Sequence, residues 1–419
     1  MYDWANSAFF TTIVSAVFPP FYRSLVVNAG LPEADATAFW AYTTSASLIL
    51  VAIAGPVLGA VSDRSGGKKQ WLAIFTAVGV VGTALMVFLG NDGYLWGSLF
   101  FMLGSVGVSG ANIFYDSLLP HVARPHDIDR VSTLGYALGY VGGGLLLVLN
   151  VLMILYPRAF LIGDSETAVR LTFLSVAVWW ALFSIPLFRR VPEPPSLTRR
   201  STFGWVVIQG GLREVKQTIG RLRQYRQLAL FLLAFLIYND GIGTIIKMAT
   251  AYGDEIGIDR TDMIIALIIT QFVGIPCSLA FGRLAGLIGA RQAILLGLAV
   301  YLGITLAGFF MTNASHFYGL ALMVGLVQGG TQALSRSLYG SMVPRLRSAE
   351  FFGFYSTGTK VAGILGPILF GMISQVFEGS RLSILSVALF FLVGGVLLML
   401  VDVREGQRIA AAENAHLAE

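Results

Sequence analysis

Twelve apolar stretches, each long enough to cross about 30 Å of hydrocarbon as a helix, run through this chain of 419 residues and leave few folds open to it. They fall near 4–25, 38–61, 70–90, 94–119, 132–155, 168–188, 227–250, 262–283, 291–312, 316–343, 351–377 and 382–402. Backbone polar groups in lipid must be satisfied within the segment, so each stretch is expected to be helical. The composition agrees: 56% of residues are hydrophobic and 12% charged, against about 25% charged in soluble domains. The 48 glycines suit helices that approach closely. The expected fold class is an all-α membrane protein with twelve transmembrane helices. Residues 8–22 are read as a retained span and not a signal segment, because eleven more spans follow. A net charge of +5 is no nucleic-acid signature here, because its placement follows the membrane. Cys277 is the only cysteine, which excludes an intrachain disulfide and a cysteine metal cluster.

Basic residues set the orientation. With both termini inside, twenty Lys and Arg lie in inside loops or the tail. Only Arg23, Arg158, Arg170, Arg260 and Arg381 lie outside. That asymmetry places both termini in the cytoplasm and the protein in the inner (plasma) membrane. The expected organisation is a six-helix bundle at 1–189, a cytoplasmic linker at 190–226, a second six-helix bundle at 227–403 and a cytoplasmic tail at 404–419. Within the linker, Leu212, Val215, Ile219 and Leu222 recur at helical steps among Arg213, Lys216 and Arg223. This predicts a basic amphipathic helix on the inner leaflet, with anionic lipid as its partner.

The chain also repeats itself. Gly59, Gly66 and Lys68 of "GAVSDRSGGKK" match Gly282, Gly289 and Arg291 of "GRLAGLIGAR" at an offset of 223. "YDSLLP" at 115–120 matches "YGSMVP" at 339–344 at an offset of 224. Two matches at nearly one offset predict a duplicated six-span unit. Repeated halves in a membrane protein point to a transporter with its site where they meet.

The loop G-x-x-x-D-R-x-G-x-K-K at 59–69 resembles the signature loop of the major facilitator superfamily, with a degenerate copy in which Gly286 replaces Asp63. More narrowly, "YDWANSAFFTTIVSAVFPPFY", "VSTLGYALGYVGGGLLL", "YNDGIGTIIKMATAYG" and "EFFGFYSTGTKVAGILGP" resemble the vacuolar-effluxer-like branch, which includes fungal proteins linked to amino-acid efflux after autophagy. The resemblance implies the major facilitator fold of two six-helix bundles, with spans 1, 4, 7 and 10 lining a central cavity. It implies that Asp63 and Arg64 stabilise one conformation without touching substrate. Asp63 can also cap a neighbouring helix N-terminus.

Polar residues concentrate in those four spans: Asp3 and Asn6, Asn112 and Asp116, Asn239 and Asp240, Gln332 and Arg336. The expected substrate- or proton-binding residues are Asn6, Asn112, Tyr136, Asn239, Asp240, Gln332 and Lys360. The expected conformational residues are Asp63, Arg64, Asp116 and Arg336. Asp240 is either a ligand or proton carboxylate or a permanent partner of Lys247 or Lys360. Asp116 pairs with Arg336 or with a base of the signature loop. Carboxamides supply donors and acceptors together, which suits a zwitterion.

No H-E-x-x-H, G-x-S-x-G or Walker A sequence is present, so neither an enzyme nor an ATP-driven pump is expected. No cofactor is expected. The expected function is secondary active transport of a small polar or zwitterionic solute, amino acid-like and with protons as a further partner, by a monomer. The alternative is a transporter-derived sensor or a lipid-handling protein of the same fold.

Overall fold

The computed structural model describes residues 1–196, 205–220, 224–361, 363, 365–376 and 380–418. All regular structure among them is helical. Eleven helices are long and apolar enough to cross a membrane: Tyr2–Asn28, Ala38–Ser65, Lys68–Phe88, Tyr94–Val122, Ile128–Leu155, Ser165–Arg190, Arg226–Ala249, Ile265–Ile288, Ala290–Phe309, Arg345–Ser374 and Arg381–Met399. The twelfth is Ala314–Ser341, which is 28 residues long but too polar to count by hydropathy. Its Gln328, Gln332, Ser335, Arg336 and Ser337 account for that. Numbered in chain order, with Ala314–Ser341 as span 10, these are spans 1 to 12.

The chain divides into two compact units. The first comprises residues 1–55, 67–115 and 138–194. The second comprises 56–66, 116–137 and 195–419. The end of span 2, the end of span 4 and the start of span 5 thus belong with spans 7 to 12.

In the first unit, span 1 changes helix type. A π-helix at Phe9–Val17 leads into Phe18–Asn28, which has Pro19 and Pro20 in its first turn. Prolines cannot donate to the carbonyls four residues back, and their rings clash with them. The wider turn absorbs that defect, and Ser15 Oγ donates to the Phe10 carbonyl at 2.9 Å. π-Segments cluster at functional positions. Span 5 offers span 1 a glycine seat: a side chain at Gly142 would meet the Trp4 carbonyl at 2.5 Å, and one at Gly139 would meet Ser7 Oγ at 2.6 Å. Thr11 Oγ1 donates across to the Gly143 carbonyl at 3.1 Å. Phe18 stacks on Phe101 at 5.3 Å, and Trp40 lies 4.6 Å from the same ring. Spans 3 and 4 touch backbone to backbone, Gly107 against Gly79.

In the second unit, Gly330 of span 10 lies on the Phe281 ring of span 8, and Gly394 of span 12 lies on Tyr238 of span 7. Tyr339 stacks between Phe231 and Tyr355 at 5.9 and 5.0 Å. The linker helix is Trp205–Gly220. A side chain at Gly211 would meet Val61 Cγ2 at 2.6 Å, so this helix rests on span 2 through its backbone. Its covered face runs through Gly211, Val215 and Thr218, whereas Leu212 is exposed beside exposed Arg213 and Lys216. Leu212 is thus left uncovered by protein, as a lipid-facing residue of the expected helix would be. A small-residue face packs on protein instead, because only glycine allows that approach. The side chain of Ile219, and residues 197–204 and 221–223, lie outside the description.

Gly107→Val drives Cβ into the Gly79 backbone, where a Cβ would sit at 2.3 Å, whereas Gly144→Val enters open space. Thermal unfolding in detergent is expected to show Gly107→Val destabilised by about 1–3 kcal/mol and Gly144→Val unchanged. Equal melting of the two variants would contradict the close approach.

Candidate functional site

The residues singled out in the sequence fall into sets that can be described unit by unit. In the first unit, Asn6 Nδ2 donates to Asn112 Oδ1 at 2.7 Å, joining spans 1 and 4. Asn6 is buried and Asn112 half-buried. One helical turn earlier, Asp3 accepts from Tyr115 Oη at 2.5 Å. The cost of an aspartate at the start of span 1 is offset by that charge-assisted bond. A carboxamide pair joined by one bond leaves Asn6 Oδ1 as an acceptor and Asn112 Nδ2 as a donor.

In the second unit, Arg336 gathers several partners. Nη1 donates to Asp116 Oδ1 at 3.1 Å, Nε donates to Ser132 Oγ at 3.0 Å and Nη2 donates to the Ser132 carbonyl at 3.1 Å. The Tyr136 ring lies 4.7 Å from the guanidinium carbon, within cation–π range. Spans 4, 5 and 10 are thereby tied at one residue. Of the two partners expected for Asp116, the structure shows Arg336. Gln332, one turn before Arg336, is half-buried. The same tie is extended by Ser132 Oγ, which donates to the Ala333 carbonyl at 2.7 Å, and by Ser337 Oγ, which donates to Asp129 Oδ1 at 2.5 Å. Ser132, Asp129 and Ser337 were not among the expected residues. Nothing in a lone Ser or a loop-end Asp distinguishes such a role by sequence.

The signature loop does what its aspartate permits. Asp63 is fully buried. Its Oδ1 accepts from Ala349 N at 3.1 Å and its Oδ2 from Glu350 N at 2.7 Å. These are first-turn donors of the helix Ser348–Val361, so a carboxylate meets the positive end of a helix. Gly59, one turn earlier on span 2, faces the Ala349 carbonyl, where a side chain would collide at 2.1 Å. Its repeat partner Gly282 faces Thr133 Oγ1 of span 5, where a Cβ would sit at 2.3 Å. Both glycines therefore allow a close approach, one to backbone and the other to a threonine side chain. Gly286, at the position matching Asp63, has nothing within 4 Å and makes no cap. Arg64 lies against Gly210 of the linker helix.

Span 11 is interrupted. Ser348–Val361 ends, Gly363 is a turn and Leu365–Val376 begins anew. Asp240 is fully buried, and its Oδ2 accepts from Gly366 N at 2.9 Å. Its Oδ1 has no hydrogen-bond partner among the described residues. Lys247, two turns further along span 7, donates to the Gly363 carbonyl at 3.1 Å. The alternative of a direct Asp240–lysine pair is thus replaced: the aspartate caps the second segment of span 11 and Lys247 serves the break before it. The charge of Lys247 still acts on Asp240 at longer range. Asn239 and Lys360 are half-buried, and Lys360 lies within electrostatic reach of Asp116 and Lys247.

Twelve membrane helices, with a buried aspartate at the end of span 2 capping another span, define a membrane transporter of the major facilitator type. A family model described as "Vacuole effluxer Atg22 like" matches residues 25–411. The chain is 36% identical over 415 residues to the uncharacterized MFS-type transporter YxiO of Bacillus subtilis (strain 168), covering 99% of this chain and 96% of that one. It is 24% identical over 464 residues to autophagy-related protein 22 of Yarrowia lipolytica, covering 90% of this chain and 77% of that one. Among solved structures, the proton:xylose symporter XylE aligns with a TM-score of 0.72 at 14% identity, over 99% of this chain and 96% of that one. The human organic anion transporter MFSD10 aligns at 0.70 and 14%, over 95% and 97%. The chain belongs to the Atg22-like vacuole effluxer family. It is a multi-pass membrane transporter and not an enzyme.

The Asp116–Arg336 pair is testable by a double-mutant cycle. Asp116→Asn and Arg336→Ala are each expected to lower thermal stability. The double variant is expected to melt higher than additivity requires, with a coupling of about 0.5–3 kcal/mol. Strict additivity would mean that the 3.1 Å contact carries no energy of its own.

Proposed function

We propose that this protein moves a small polar or zwitterionic solute of amino-acid type across the plasma membrane by alternating access, with a proton as coupling ion and Asp240 as its carrier. The observation that carries the coupling is the buried Asp240 carboxylate, whose Oδ2 takes Gly366 N with the Leu365 amide close by, while Oδ1 has no hydrogen-bond partner among the described residues. Burial disfavours the charged form of such a group, and a backbone hydrogen bond favours it. A carboxylate balanced in this way can gain and lose a proton during a cycle. Proton coupling is named for the xylose symporter of the same fold. The free donor and acceptor of the Asn6–Asn112 pair support a substrate that offers both in return. In the second unit, Asn239, Gln332, Tyr136 and Lys360 are proposed substrate-facing residues in their own right. The effluxer description of the family supports export. Anionic lipid at Arg213 and Lys216, exposed on the linker helix, belongs to the same reading.

The Asp63 cap and the Arg336 cluster are proposed as the cytoplasmic gate. Asp116→Asn then favours the state open to the cytoplasm and slows cycling more than it weakens binding.

The experiment is solute flux in proteoliposomes, with and without a pH gradient, after a thermal-shift screen of metabolites finds a stabilising ligand. Asp240→Asn keeps an oxygen for Gly366 N but cannot carry a proton. It is expected to lose proton-driven accumulation and retain pH-independent exchange. Accumulation at the wild-type rate and pH dependence would remove Asp240 from the coupling role.

Orientation has its own check. In a Cys277→Ser background, single cysteines replace exposed Ser165 before span 6 and exposed Gln224 before span 7. An impermeant thiol reagent on intact cells is expected to label the first and spare the second. The reverse pattern would invert the proposed topology.

A further inference from the structure

The last residues of the chain form the helix Val403–Ala418. Its start is fixed: Asp402 Oδ1 accepts from Glu405 N at 3.0 Å as an N-cap, and Asp402 N donates to Gln227 at the start of span 7 at 2.9 Å. Just before it, the Val401 carbonyl accepts from Arg291 Nη1 at 2.7 Å. The helix then runs along the connection between spans 10 and 11. Gln407 Nε2 donates to Ser341 Oγ at 3.1 Å. Gly406 faces Met342, and Ala410 is buried. Its far end holds the turn Arg345–Arg347. Asn414 Oδ1 accepts from Arg345 N at 2.7 Å, and Glu413 lies 3.9 Å from Arg347 Nε with both side chains largely covered. Tyr225, buried at the start of span 7, packs edge-on against Phe351 at 5.1 Å and faces the charges of Glu413, Arg347 and Glu350.

The turn held by Glu413 and Asn414 is followed at once by Ser348, Ala349 and Glu350, whose amides include both donors to Asp63. One short stretch of backbone is therefore gripped twice, at 345–347 by the C-terminal helix and at 349–350 by Asp63. Asp63 can seat both its oxygens only while that first turn keeps its place. We propose that the C-terminal helix is a built-in brace of the Asp63 cap, so that its release loosens the first turn of span 11 and weakens the hold of the 2–3 loop. The brace acts on a conformational contact and not on a ligand, so it stands or falls separately from the substrate and proton reading.

The test is hydrogen exchange of the purified full chain in lipid nanodiscs, read at peptides covering 345–352 and 403–418. Glu413→Ala with Asn414→Ala removes the grip and leaves Asp63 intact. Exchange is expected to rise by about tenfold or more in both peptides, as local opening becomes easier. Asp63→Asn serves as the reference, raising exchange at 349–350 while 403–418 keeps wild-type protection. A chain ending at Asp402 is the second variant, expected to reproduce the rise at 345–352. Wild-type protection at 349–350 in the truncated chain overturns the proposal. So does a double variant whose tail exchanges faster while 349–350 stays protected.

Discussion

A carboxylate without water survives in a membrane protein only where fixed donors meet it, and Asp63 is placed on that condition. It is fully buried and its two oxygens take two backbone N–H groups of a helix start. The donors are ones that no helix can satisfy for itself. Aspartate and helix each remove the other's cost, and the sum is a contact that fixes the end of span 2 against the start of span 11. Much of the packing nearby serves this contact. Gly59 must lack a side chain for span 2 to come close enough, the linker helix covers span 2 through Gly211, and the C-terminal helix holds the turn leading in.

The Arg336 cluster obeys the same rule with the sign reversed. A guanidinium with five donors needs several acceptors in a buried setting. It finds a carboxylate, a hydroxyl, a carbonyl and a ring face. Removing one acceptor leaves a buried charge partly unserved, which costs more than the single contact is worth. This explains why span 10 can be the most polar of the twelve helices and still be a helix of full length. Its polar residues face partners, as Tyr238 with Ser335 and Asp129 with Ser337 show.

Much of this was legible in the chain itself. The apolar runs marked the spans because hydrocarbon thickness fixes helix length, and Gly59 and Gly282, singled out by their spacing, both sit where a side chain would collide. The Asp63 cap was readable as a possibility because a carboxylate in a short loop between helices has few buried uses. What pattern could not supply was the partner. The sequence offered Asp116 two bases and Asp240 two lysines; three-dimensional packing gave Asp116 to Arg336 and turned Asp240 to a backbone amide. The break in span 11 was also hidden, since "KVAGILGP" reads as a continuous apolar run with small residues. The C-terminal helix, a polar segment by composition, takes its place from capping and side-chain contacts that no hydropathy pattern carries.

Asp240 and Asp63 invite comparison, because each caps a different segment of the same span. Asp63 holds the start of Ser348–Val361, and Asp240 holds the start of Leu365–Val376. Breaking a helix inside a membrane exposes a second set of unsatisfied N–H groups, and the chain answers it with a second buried aspartate. The two caps differ in one respect. Asp63 commits both oxygens to backbone donors, whereas Asp240 commits one and leaves Oδ1 without a partner among the described residues. The first aspartate closes its helix start with two backbone bonds. The second closes its own helix start with a single backbone bond.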